Sequence, residues 1–145
     1  MNVKYDIVTS IEELQQSFFV RSVVFIEEQN VLYVQEFDEN EYNSTHFIAT
    51  IDKEPVAAAR LRVLSGCAKI ERLSVRKAYR GKSIGKCMFD FVLKYAMDLK
   101  CNKVVVHAQS YLLQFYEGFG FYRHGDKFLE AGIEHYYMEK ENSIK

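Results

Sequence analysis

The sequence predicts an α/β domain of the α+β type, in which six to seven strands are interleaved with helices. Three observations carry that expectation. Short apolar runs, alternating or unbroken, recur from Val3 to Glu139, as in half-buried and fully buried strands. The stretch Ile84 to Leu99 instead repeats apolar residues every three and four positions, the period of a helix. The 145 residues contain one proline, Pro55, and no Ser/Gly-rich run, repeat or low-complexity segment that would mark a linker. At 48% hydrophobic, a chain of this length is expected to bury a proper core as a single domain, residues 1–145.

Val3, Tyr5 and Ile7 alternate with polar neighbours and form a first strand. Ser10 and Glu13 read as a capping box. They open a helix with an apolar face of Leu14, Phe18 and Phe25, widened by Phe19, Val20, Val23 and Val24, that ends near Glu27. From Glu27 to Glu41, six acids and no base accompany Val31, Leu32, Tyr33, Val34 and Phe37. That segment is either a lip drawing in a cationic ligand, with Glu27 and Glu28 at its start, or a solvated loop anchored by aromatics. His46 to Ile51 and Val56 to Leu64 are strands joined by a turn at Asp52-Lys53-Glu54-Pro55. Arg60 and Arg62 share one face of the second strand, where they either grip an anion or cover the sheet with their aliphatic stems.

Ser65-Gly66 turns the chain into a central strand, Lys69 to Val75. Simple alternation puts Glu71 there on the face of Leu73 and Val75, and an acid on such a face needs a partner or a purpose. The helix that follows presents Ile84, Met88, Phe91, Val92, Tyr95 and Leu99 on one side. Val104 to Val106 is a strand of the kind buried on both faces, with His107, Ala108 and Gln109 at its exit. A short helix from Ser110 to Glu117 is stopped by Gly118 and Gly120. Strands around Phe121 to His124 and His135 to Glu139 then enclose a loop, Asp126 to Glu134, whose tip Glu130-Ala131-Gly132 is placed to border the ligand site.

The chain is organised around the turn Arg80-Gly81-Lys82-Ser83-Ile84-Gly85. Its small residues let a ligand approach the backbone, and the first N–H groups of the following helix point into it. The helix dipole adds partial positive charge, which suits a phosphate or pyrophosphate. From Lys69 to Lys86 seven Lys or Arg face a single acid, Glu71. The P-loop pattern fails because Arg76 occupies its first glycine position, and the dinucleotide G-x-G-x-x-G pattern is absent.

Arg80 to Gly85 resembles R-x-x-G-x-G/A, the pyrophosphate signature of the GNAT superfamily of acyl-CoA-dependent N-acetyltransferases, with Ser83 in place of the middle glycine. The upstream I-E-R-L-S-V resembles that family's fourth strand, and Q-F-Y-E-G-F-G-F from Gln114 to Phe121 its later F-Y-E-x-x-G-F element. Arg21 to Gln29, followed by Glu36, Asp38 and His46, looks most like the ElaA-type branch. The resemblance implies a mixed, mostly antiparallel central sheet of six to seven strands flanked by about four helices. It also implies transfer of an acetyl group from acetyl-CoA to a primary amine of a small molecule, directly and in a ternary complex. Coenzyme A would then be held by Leu73, Ser74, Val75, Arg80, Gly81, Lys82, Ser83, Ile84, Gly85, Lys86, Gln109 and Tyr116. Arg76 and Lys77 would stand near for the 3′-phosphate, and Tyr116 would return a proton to the thiolate. Glu71 is the first choice as base, with an ion pair to a neighbouring arginine as its alternative and His107 or His46 as other bases. Glu27, Glu28, Arg60, Arg62, Glu71 and His107 are the candidate acceptor-binding residues. Two other readings are protein lysine or N-terminal acetylation and a non-catalytic acyl-CoA sensor.

A net charge of −1 argues against a general nucleic-acid binder. Cys67, Cys87 and Cys101 lack disulfide or metal spacing, so no metal is expected, and Cys87 reads as a small packing residue rather than a nucleophile. No signal-peptide pattern or apolar run of membrane-spanning length is seen, which gives the expectation of a soluble cytoplasmic protein. The sequence leaves the oligomeric state open, with a homodimer among the possibilities because dimers are frequent in the superfamily.

Overall fold

The computed structural model describes residues 2–143. Its strands are β1 (Val3–Ile7), β2 (Thr45–Ile51), β3 (Glu54–Leu64), β4 (Cys67–Val75), β5 (Lys103–Gln109), β6 (Tyr122–Arg123), β7 (Phe128–Glu130) and β8 (Ile133–Glu141). The helices are α1 (Ile11–Arg21), α2 (Tyr33–Glu36), α3 (Ile84–Asp98) and α4 (Leu113–Glu117). The sheet order is β1-β2-β3-β4-β5-β8-β6, with β7 also paired to β8. All pairings are antiparallel except β4 with β5. One strand more than expected is present, because the loop foreseen at Asp126 to Glu134 contains β7 and turns at Ala131 (φ 51°) and Gly132 (φ 75°).

One face of the sheet, built by Phe47, Ala59, Leu61, Ala68, Ile70, Val104 and Val106, lies in the core with Ile84, Met88, Phe89, Val92 and Ala96 of α3. The expected α3 stripe holds at Ile84, Met88 and Val92 but omits Phe89, while Leu99 lies beyond the helix and is exposed. Phe89 is the hub of an aromatic cluster whose ring centroids lie 4.8 Å from Phe119, 5.1 Å from Tyr116 and 5.7 Å from Phe121. Tyr116 is thereby fixed against the sheet. The opposite face carries a smaller core of Val20, Val24, Phe25, Val31, Ile48 and Ala58.

Ser10 caps α1 by accepting the Glu13 N–H at 3.1 Å, and Glu13 reaches back to the Thr9 N–H at 2.9 Å. The helix runs to Glu28 as expected, but from Ser22 it is wound as a π-helix. The wider turn rotates the last residues relative to an α-helix. Val24 and Phe25 are buried while Glu28 reaches Arg80 and Gln29 reaches Gln109. The β2–β3 turn is also tighter than expected, being Asp52-Lys53 alone, both at positive φ (48° and 70°).

Candidate functional site

The site begins as a failure of pairing. β4 and β5 are hydrogen-bonded from Cys67↔Lys103 to Ile70↔Val106, and beyond that register they separate. A bulge starts the divergence: Arg60 faces Glu71 and Ala58 faces Ser74, so β4 holds one residue more than β3 between those pairs. Arg72 takes the positive φ of 58°. The extra residue reverses the phase of the strand, which corrects the simple alternation. Leu73 and Val75 turn to the α3 core, while Glu71 stays on the opposite face beside Arg60. The main chain of Leu73 to Val75 therefore has β3 on one side and an open cleft on the other. A cavity of about 790 Å³ occupies that cleft.

At the end where β4 runs into α3, main-chain donors dominate. Ser83 precedes α3 with φ 63°, and its hydroxyl makes no capping bond. The first helical hydrogen bond runs from Cys87 N–H to Ser83 O, which leaves the N–H groups of Ile84, Gly85 and Lys86 without an acceptor among the described residues. Leu73, Ser74, Val75, Arg80, Gly81, Ser83, Ile84, Gly85, Lys86, Gln109 and Tyr116 all line the cavity; Lys82 does not, and lies 6.0 Å from the Tyr79 ring. Arg80 is not free. It donates to Val75 O at 2.9 Å and to both carboxylate oxygens of Glu28 at 2.6 and 2.7 Å. The bond from Arg80 holds the Glu28 carboxyl below its usual range against the opposing effect of partial burial. Gln109 donates to Gln29 Oε1 at 2.9 Å, bridging β5 to the π-helical turn. Burial pushes the Tyr116 phenol well above its usual value, so the hydroxyl keeps its proton at neutral pH.

The other end, between α2, β4 and the β7–β8 hairpin, is built from buried charge. Arg21 and Arg60 are fully buried. Arg21 pairs with Glu36 and Glu41, each at 2.8 Å, and Arg60 with Asp38 (2.9 Å), Glu41 (2.8 Å) and Glu71 (3.0 Å). Arg72 binds Glu36 and Asp38, each at 3.3 Å, and Glu71 also receives Arg62 and Lys69. Burial alone would raise the Glu71 carboxyl, but the Arg62 hydrogen bond and the charges of Arg60, Lys69 and Arg62 outweigh it and hold it at about 2. Asp38 is likewise held at about 2, where burial is overcome by Arg60, the Asn40 N–H and Arg72. Beyond Lys69, the His107 Nδ1–H donates to Glu130 Oε1 at 3.0 Å. His135 shares Glu130, with Nε2 lying 3.8 Å from Oε2.

Several expectations change here. Glu71 lines the cavity, yet a carboxylate held that low by three cations is a poor proton acceptor near neutral pH, and the ion-pair alternative describes it. Arg60 lies behind the cavity wall and cannot touch a ligand, whereas Arg62 does line the cavity, bound to Glu71. Glu27 is exposed away from the cavity, and Glu28 belongs to the Arg80 end. The acidic segment is not a free lip, since Glu28, Glu36, Asp38 and Glu41 are all paired with arginines, while Glu27 and Glu39 are exposed and Phe37 anchors the segment on Phe18 and Arg21. His46 is buried on Phe18, donates Nε2–H to Glu41 O at 2.9 Å and does not line the cavity. His107 does line it. An isolated histidine in a strand carries no spacing signal, which is why His135 is absent from the expected site, and Gln29 entered only as the end of the Arg21 to Gln29 resemblance, with no contact assigned to it.

A family model described as "Acetyltransferase (GNAT) domain" matches residues 19–142. The chain is 36% identical over 131 residues to the "Uncharacterized N-acetyltransferase YjcF" of Bacillus subtilis (strain 168), covering 90% of this chain and 94% of the relative. It is 30% identical to Protein ElaA of Escherichia coli (strain K12) over 138 residues, 91% of this chain and 90% of that one. The crystal structure of Escherichia coli ElaA superposes with a TM-score of 0.87 at 25% identity, covering 97% of this chain and all of that one (100%). The PaiA N-acetyltransferase of Thermoplasma acidophilum, solved in complex with coenzyme A, shares the fold at a TM-score of 0.73 and 19% identity, covering 97% and 99% of the two chains. With the splayed β4–β5 cleft and the open amides of α3 in place, the matched span of the family model settles the assignment: the chain belongs to the acetyltransferase (GNAT) family.

Proposed function

We propose that the chain is an N-acetyltransferase of the ElaA-type branch that moves an acetyl group from acetyl-CoA to a primary amine of a small molecule, by direct transfer in a ternary complex. The observation that carries this reading is the unpaired main chain of β4 continuing into the acceptor-free N–H groups of Ile84, Gly85 and Lys86. A polar arm fits along the first and a pyrophosphate at the second, where the dipole of a 15-residue helix adds to the charge of Lys86. Bound there, acetyl-CoA would supply an activated acyl group with a thiolate leaving group. Tyr116, protonated and lining the same cavity, has the chemistry to give a proton to that sulfur. Val24, Phe25 and Phe115 supply apolar wall that limits water at the reacting atoms.

Calorimetric titration with acetyl-CoA, followed by a thiol-release assay on pooled amines, tests the reading. Saturable binding that weakens in Arg80→Ala and thiol release that depends on amine are expected. Tyr116→Phe should lower turnover about 100-fold while acetyl-CoA still binds. Slow thiol release indifferent to amine would replace the enzyme with an acyl-CoA sensor.

A further inference from the structure

We infer that Glu130 and His135 form the seat of the acceptor's ammonium group, and that His135 Nε2 takes its proton. The inference rests on the acetyltransfer reading and narrows its acceptors to aliphatic ammonium compounds. Of the bases the sequence offered, Glu71 is held by three cations, His46 lies outside the cavity, and His107, which lines it, already gives its Nδ1–H to Glu130.

The β7–β8 hairpin supplies another. His135 is 7% exposed and lines the cavity. Its Nδ1–H donates to Ile133 O at 2.7 Å, so a neutral ring carries its proton on Nδ1 and a lone pair on Nε2. That Nε2 has no hydrogen-bond partner among the described residues, and it faces Glu130 Oε2 at 3.8 Å. In the Nδ1–H form, Nε2 and the carboxylate present two acceptors to each other with no donor between them, an arrangement that suits a cation with several N–H groups. An alkylammonium has them. An arylamine, neutral at pH 7, lacks the charge that Glu130 would attract.

The surroundings hold the pair in place. Glu130 receives His107 Nδ1–H at 3.0 Å, and the Phe128 ring stacks on His135 (5.9 Å, 24°) while meeting His107 edge-on at 5.1 Å. The other charged or titratable groups around the seat are Lys69 on β4, His107 on β5 and Tyr137 on β8, with the Lys127–Glu134 pair at the mouth of the hairpin. Glu130 is half-buried, so the seat opens on both cavity and solvent.

In the reaction, R–NH3⁺ gives one N–H to Glu130 Oε2 and another to His135 Nε2. The second proton passes to His135, leaving R–NH2 with its lone pair and an imidazolium beside the carboxylate. That lone pair forms the C–N bond to the acyl carbon, and the C–S bond breaks with its electron pair going to sulfur. A second amine proton reaches the sulfur through the Tyr116 hydroxyl. One amide, one thiol and one proton, the last released from His135 to water, complete the balance.

The test has one arm without turnover. Nitrogen-15 NMR of the histidine rings in the protein without acetyl-CoA is expected to show His135 as the Nδ1–H tautomer, and added propylammonium chloride is expected to move its Nε2 resonance. In the second arm, His135→Gln lowers kcat with propylamine at least 100-fold at pH 7, leaves acetyl-CoA binding intact, and recovers as pH approaches about 10, where the amine loses its proton unaided. Glu130→Gln, on a more exposed side chain, raises the amine KM about tenfold with a smaller change in kcat. An Nε2–H tautomer, a resonance indifferent to propylammonium, or an active wild type whose pH profile survives His135→Gln overturns the seat while acetyltransfer stands. A wild type that binds acetyl-CoA but acetylates no amine overturns the transfer reading instead, and the NMR arm then decides the seat alone.

Discussion

At the β4–α3 end of the cavity, Lys82 and Lys86 stand exposed and main-chain donors are left open; at the α2–β4 end, Arg21 and Arg60 are fully buried and neutralised by Glu36, Asp38, Glu41 and Glu71. The first arrangement can exchange its partners for a ligand's phosphates at little cost, because water and ligand compete for the same groups. The second cannot. Each buried charge there has its counter-charge within hydrogen-bonding distance, so the wall offers a ligand shape rather than a free charge. Arg80 stands between the two modes, exposed yet held bidentately by Glu28.

The contrast is broken most directly at Arg60. Arg60→Met leaves Asp38, Glu41 and Glu71 short of a cation and should cost about 3–5 kcal/mol in urea unfolding. A loss within experimental error would mean the network is not buried charge in the sense described. Acid sharpens the same point. The folded values of Glu71 and Asp38, about 2, lie below the ordinary carboxylate values. Their contribution is therefore complete above about pH 5, declines as pH falls through about 4, and is lost below about 2. For Glu71 the shift corresponds to a contribution on the order of 3 kcal/mol, and Glu71→Gln should flatten the acid limb of stability against pH.

Salt should separate the two ends. Raising ionic strength from about 0.05 to about 0.5 M is expected to weaken acetyl-CoA binding several-fold through the exposed lysines, with little change in the unfolding midpoint. An equal response of both would erase the distinction. The smallest effect is expected at Ser83, which holds φ 63° without a capping bond in return. Ser83→Gly should stabilise the fold by roughly 0.5–1 kcal/mol in thermal unfolding and leave the open amides of α3 in place.

Much of the fold was legible because its causes are local. The Ser10 cap, the α3 stripe at Ile84, Met88 and Val92, the buried Val104 to Val106 and the turn before α3 depend on residues within one or two turns of each other. The same holds for the cradle, whose glycines, cations and helix start are contiguous in sequence. The bulge at Arg72 was not legible, since alternation carried through Glu71, Leu73 and Val75 gives no sign of an inserted residue. Nor were the destinations of the acids, because Arg60 meets Asp38 across 22 positions and Arg72 meets Glu36 across 36. Periodicity and turn chemistry acting over a few residues were enough for every strand but β7, for the principal helices and for the glycine-containing turn before α3. Which charges cancel, and which histidines reach the cavity, followed from the folded chain, because strand register and the β4 bulge choose those partners and no local preference does.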